Sequence, residues 1–163
     1  LAVALLGKKL VHVVRGRPRV GRIVETEAYV GPHDLACHAS KGRTKRTEVM
    51  FGPPGHAYLF LVYGMHVCMN VVVGGGAAVL LRAVEPVEGL EGTRTDGPGR
   101  LSKAMGLQLS LNAAPLDRAP LYVAEGEPVQ KEHLGVSPRI GVDYAGEWAA
   151  APLRFFDRRL VKR

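Results

Sequence analysis

Cysteine is scarce in this chain. Only Cys37 and Cys68 occur in 163 residues, and they form no Cys-x-x-Cys pair. That speaks against a zinc ribbon or a disulfide framework and suits a reducing compartment. Long apolar runs are also lacking, and none approaches the ~18 residues a membrane-spanning helix needs. The opening LAVALLGKKL is apolar but has no basic segment ahead of it, so no secretory leader is expected. Phosphate-cradling motifs are missing: the GGG at 74–76 is not part of a GxGxxG or a P-loop. There is no GxSxG nucleophile elbow either. Without repeats, linkers, low-complexity tracts or a break in composition, the reading is one domain over 1–163, long enough to bury a real core.

What the chain has in excess is positive charge. Lys and Arg number 22 against 15 Asp and Glu, which gives a net charge of +7 and a pI near 9.7. Such an excess suggests a polyanionic partner, such as nucleic acid or an anionic membrane, although many basic proteins bind neither. The apolar fraction, 47%, is ordinary for a globular protein.

Hydrophobic periodicity gives a mixed pattern. LAVALLGKKL reads as a short helix ending near Gly7. LVHVV, the turn RGRP and RVGRIVETEAYV read as a β-hairpin. GPHDLACHAS reads as a turn into a short helix with Asp34 as N-cap. SKGRTKRTE is a loop and FGPPGH a turn. AYLFLVYGMHVCMNVVV reads as two strands bent at Gly64, and AVLLRAVEP as a strand ended by Pro86. RLSKAMGL is helical in propensity, PLYVAEG and RIGVDYAG read as late strands, and EWAAAPLRFF closes the domain. Adjacent strands are expected to be antiparallel, in an α+β fold.

Four stretches carry candidate chemistry. In RIVETEAYVG, the strand period puts Ile23, Glu25, Glu27 and Tyr29 on one face. Two carboxylates roughly 6.5–7 Å apart resist joint ionisation unless a cation compensates. The competing reading is an exposed, solvated face. In VLLRAVEP, Arg82 sits within an apolar strand. If buried it needs an anionic partner, and a Glu of the first strand is the obvious one. In HDLACH, His33, Asp34, Cys37 and His38 look like metal ligands. The two histidines are five apart, not the i, i+4 spacing that faces one metal on a helix, so a hydrogen-bonding or stacking histidine is favoured and no metal or cofactor is expected. In KGRTKR, Lys41, Arg43, Lys45 and Arg46 put four cations into six residues just ahead of YLFLVYGMH. Such cations contact phosphates, and nearby aromatics can stack on bases or wedge into a duplex.

GRIVETEAYVG, HDLACH, MFGPPGHAYLFLVYGMHVCMN, VLLRAVEP, GPGRLSKAMGL and RIGVDYAGEWAAAPLRFF run in series through nearly the whole chain. In that order they resemble the alkyladenine DNA glycosylase family, also called methylpurine or 3-methyladenine DNA glycosylases, in its bacterial form. The resemblance implies a compact domain with a curved antiparallel sheet, a protruding β-hairpin and surrounding short helices. It implies a monomeric, intracellular base-excision enzyme, in the cytoplasm or nucleoid if bacterial, acting on damaged double-stranded DNA and not at a membrane. Such an enzyme flips a damaged purine from the duplex and hydrolyses its N-glycosidic bond.

By the same resemblance, Glu27 of TEAY is the base that activates water, and Arg82 is linked to it. Tyr29, His38, Phe60 and Asn70 line the base pocket, with Phe60 standing where the family normally has Tyr and Asn70 disfavouring guanine. Tyr63 is the wedge in the minor groove, with His66 beside it. Thr44 and Met50, together with Arg43 and Arg46 of the basic run, contact DNA, while Lys45 and Glu48 depart from the mammalian pattern. The family usually has a longer basic segment ahead of GPGRLSKAMGL, where this chain has only TRTD. N3-methyladenine, N7-methylguanine, hypoxanthine and ethenoadenine all stay open as substrates. Two other functions compete with this one: a non-catalytic DNA-binding module on the same fold, which would have no need to keep Glu27, Tyr29, His38 and Asn70 together, and a metal-dependent nuclease, for which no carboxylate cluster is visible.

No Lys falls at a nucleophile position in these motifs, which favours plain hydrolysis over Schiff-base chemistry. Borohydride should therefore trap no covalent complex with lesion DNA, and a trapped complex would contradict this.

Overall fold

A computed structural model describes residues 1–162. Its frame is one curled antiparallel sheet. The first expected hairpin is there, as β1 (Lys9–Val14) and β2 (Arg17–Tyr29). The second is β3 (Ala57–Val62) and β4 (His66–Gly74), followed by β5 (Ala77–Glu88). Shorter strands complete the sheet: β6 (Asp117–Arg118), β7 (Leu121–Ala124), β8 (Leu134–Ser137) and β9 (Arg154–Asp157). The strand order is β3-β4-β5-β2-β1-β7-β6, and β9 joins β2 and β8 off that path. The α-helices are α1 (Ala2–Leu5) and α2 (Pro98–Met105), and none of the described helices is long and apolar enough to cross a membrane.

Strand alternation explains why the sheet has two different faces. Leu59, Met69, Val71, Val79 and Leu81 point into the main core, with Leu6, Leu10, Ile23 and, from α2, Leu101 and Met105. Their neighbours Tyr58, Phe60, Asn70 and Leu80 point the other way, into a cavity. Tyr58, Cys37, Ala39, Met50 and Val72 form a second, smaller core beneath it.

Four expectations need correction. β5 does not end at Pro86 but runs on to Glu88. Pro86 faces Gly21 beside an irregularity in the β2–β5 register, where a missing N–H costs no ladder bond. RIGVDYAG is not a strand: residues 138–142 are irregular and Asp143–Ala150 is a kinked 3₁₀ segment. Asp34 caps no helix, because the helical turn begins only at His38–Lys41. Strict alternation along β2 also fails. Ile23 pairs with Val84 and Glu25 with Ala83, so Val24 is an extra residue on β2; Thr26 then pairs with Leu81, leaving Arg82 extra on β5. Bulges re-aim side chains. Here Ile23 turns into the main core, while Glu25 and Arg82 are brought together on the cavity side.

Candidate active site

Glu27 has no exposed surface. One carboxylate oxygen, Oε1, accepts the Ile140 N–H at 2.8 Å and lies 3.5 Å from Arg82 Nη1. The other, Oε2, accepts the Tyr29 hydroxyl at 2.9 Å. Glu25 is also buried, and its Oε1 takes the Nε of Arg82 at 3.0 Å and the Nε of Arg154 at 2.6 Å. The two carboxylates therefore share Arg82, and Arg154 supplies a second cation. This is the compensation that burying two like charges demands. The solvated reading of this face does not hold. The expected partnership of Arg82 with a Glu of the first strand does.

Tyr29, His38, Phe60 and Asn70 all line one cavity, with Tyr58, Leu80 and Tyr144 also in its wall. The cavity volume is about 90 Å³. Glu27 is not in that wall; it stands behind the Tyr29 hydroxyl. Burial first, and then the Glu27 charge, push the Tyr29 phenol well above its ordinary range, so it remains a neutral donor. His38 shares a hydrogen bond with the Tyr58 hydroxyl at 2.9 Å and meets the Phe60 ring edge-on, 4.5 Å between centroids. Burial, then the Arg46 charge, lower its imidazole below the ordinary value, so the ring is neutral near pH 7. Asn70 donates its amide to the Tyr58 carbonyl at 3.1 Å.

The residues expected on the DNA side divide. Tyr63 is 90% exposed at the tip of the β3–β4 hairpin, with a φ of 53° that a bulky residue rarely adopts. His66 is exposed beside that tip, at the start of β4, where it pairs with Val62. Arg43 and Thr44 are exposed on the basic loop, where Arg43 approaches Glu48 at 3.7 Å and the Thr44 hydroxyl is tied to Thr47. Arg46 reaches over the Phe60 ring, 5.4 Å from its centroid. Met50 stands apart from these exposed residues. It is 2% exposed and belongs to the small core and the cavity wall, because the 3₁₀ turn Glu48–Phe51 points it inward.

Comparison with known proteins decides the family. Residues 1–160 match the family model described as methylpurine-DNA glycosylase. The chain belongs to the methylpurine-DNA glycosylase family. A Myxococcus xanthus protein is 61% identical over 162 residues, covering 97% of this chain and 84% of its own length. A Legionella pneumophila (strain Lens) protein is 54% identical over 159 residues, with 96% and 86% covered. One from Methanocella arvoryzae is 49% identical over 170 residues, with 94% and 84% covered. Each of the three is named "Putative 3-methyladenine DNA glycosylase". A DNA glycosylase role follows from membership of the methylpurine-DNA glycosylase family.

Within this family's frame, the sequence reading missed one organising residue. Arg139 is buried, and its guanidinium grips both oxygens of Asp34 while also donating to the carbonyls of Ala28 and Trp148. It lies 4.7 Å from the centroid of the Tyr29 ring, so it backs that ring. Asp34 in turn accepts the N–H groups of Val30 and Ala36, fixing the turn that leads to His38. HDLACH is thus put to other uses than a shared ion: His33 stacks edge-on against Trp148, Asp34 binds Arg139, and Cys37 donates to the Gly76 carbonyl. Tyr58 was missed as well, although it is two residues from Phe60 on the same strand face and alternation could have found it. Arg154 and Tyr144 lay inside a matched segment but gave no signal of their own.

Asp34→Asn should leave Arg139 buried without a counter-charge and destabilise the fold by about 3–5 kcal/mol, read from urea unfolding at pH 7. Burial works against the Asp34 carboxylate, but the Arg139 hydrogen bonds outweigh it and hold the carboxyl below its ordinary range. Its contribution is therefore full above the ordinary carboxylate range and is lost as pH falls through the lower folded value. The difference between wild type and Asp34→Asn should shrink toward strongly acidic pH.

Proposed function

We propose that this chain draws a damaged purine out of duplex DNA into the Tyr29–His38–Phe60 cavity and hydrolyses its N-glycosidic bond with a water activated by Glu27. The observation that carries this reading is the Tyr29–Glu27 hydrogen bond, which joins a stacking cavity to a buried carboxylate. A base inside the stack is out of reach, so glycosidic chemistry on it requires extrusion. As the bond breaks, C1′ gains oxocarbenium character, and a nearby carboxylate both stabilises that charge and takes a proton from water.

The character of the cavity supports alkylated purines as substrates. Its walls are aromatic faces, which attract electron-poor rings, and His38 is kept neutral, so it does not repel a cationic base. N3-methyladenine, named in the relatives, fits this chemistry. Asn70 supports exclusion of guanine, whose exocyclic amine would meet an amide already committed to the Tyr58 carbonyl. Phe60 stacks without offering a hydroxyl, which removes one polar contact to the base. Tyr63, exposed at the tip of the hairpin, suits the space a flipped nucleotide vacates.

Incubation with duplexes carrying N3-methyladenine, N7-methylguanine, hypoxanthine or ethenoadenine should release free base and leave an alkali-labile abasic site for at least one of them. Tight lesion binding without release of any base would favour the non-catalytic binder instead. Tyr63→Ala should slow release from duplex by about 10- to 100-fold, the worth of one stacked ring.

A further inference from the structure

The basic loop is not the only cationic bank beside the wedge. On the β3 edge of the hairpin, Lys45 and Arg46 share a surface depression with Leu59–Leu61. On the β4 edge the sheet splits. The β4–β5 pairing ends at Asn70 and Leu80, and the connector ahead of α2 fills the gap. Asp96 bridges to Ala83, and the Gly97 N–H bonds the Arg82 carbonyl. The start of α2 then abuts the turn end of the hairpin, since a Cβ on Gly99 would lie 3.2 Å from the Cβ of His66, the residue that pairs with Val62 across the turn. From that point Arg19, Arg94, Arg100 and Lys103 surround a second depression of about 480 Å³. Arg94, Arg100 and Lys103 are exposed. Asp96 alone pairs with two of the four, Arg94 at 2.9 Å and Arg100 at 3.1 Å. Pairs this exposed bind weakly and give way to a stronger anion.

We propose that Arg19, Arg94, Arg100 and Lys103 form a second phosphate-binding bank, so that the Tyr63 hairpin enters the minor groove between two cationic edges that each hold backbone phosphates. The proposal rests on the reading of this chain as an enzyme of duplex DNA. A wedge held from one side only would let the duplex roll away, whereas contacts on both edges fix its register without reading sequence. Arg94 lies in the connector Thr93–Asp96, and Arg100 and Lys103 follow it on α2; the connector is tied to β5, where the Thr95 hydroxyl donates to the Val84 carbonyl at 2.6 Å.

The test is the salt dependence of binding to a lesion duplex, for wild type, Arg100→Gln/Lys103→Gln, and Arg118→Gln/Lys131→Gln, which removes the same charge from exposed sites elsewhere. Each lost phosphate contact lowers the slope of log K against log salt by about 0.9, so the bank variant should lose about 2 and the control variant almost nothing. Binding should weaken equally for duplexes of different sequence, while release of the bound base at saturating enzyme stays unchanged. Equal slopes for the two variants would overturn the proposal. Replacing chloride with inorganic phosphate at matched ionic strength should leave the difference intact; its disappearance would make this a site for the free anion and would also overturn it. Failure of the wild type to release any base would count against the enzymatic reading, whereas an active wild type with equal slopes sinks only the second bank.

Discussion

Two buried carboxylates on one strand repel each other, and each loses its hydration. Glu25 and Glu27 persist together because guanidinium groups reach them from two directions: Arg82 from β5 and Arg154 from β9. The pairing depends on backbone irregularity. A regular β2–β5 ladder would place Glu25 and Arg82 by simple alternation, but two offset bulges turn Ile23 into the core and bring these charges together. Removing one member of such a set leaves an uncompensated buried charge, which costs far more than the pair contributes. The strand that bears Glu25 and Glu27 is thus also the strand the charge balance holds in place.

A second charged pair, Asp34 with Arg139, does for the cavity what Arg82 does for the carboxylates. It fixes the turn that leads to His38 and backs the ring of Tyr29. The neighbouring Ile140 N–H then meets Glu27. Segment 139–140 therefore touches both the Tyr29 ring and the Glu27 carboxylate. A buried arginine with a planar fork suits this task, since it can hold two carboxylate oxygens and carbonyls at once.

Much of the sheet was legible from sequence. The β-prone runs on either side of the RGRP turn, and the two apolar runs bent at Gly64, give both hairpins because those signals are local. The pocket set Tyr29, His38, Phe60 and Asn70 came from motif resemblance, and the structure gathers them in one cavity. What could not be read depends on distant pairing. Bulges are set by two strands in register, so neither sequence alone reveals them. Asp34 and Arg139 stand 105 residues apart, and a lone Asp in a turn looks like a helix cap until its partner is seen. Pro86 misled because it ends central strands but is tolerated beside a bulge. The inward position of Met50 was not legible because it follows a basic loop, while its own helical turn sets its direction.

The most direct measurement of the central claim is single-turnover base release by Glu27→Gln beside wild type, on the same lesion duplex at saturating enzyme. The variant keeps the shape of the side chain, and its affinity for the duplex should stay close to that of the wild type. Base release should fall by about 10²- to 10⁴-fold, the worth of a positioned general base. Release at the wild-type rate would contradict the assignment of Glu27 as the group that activates water.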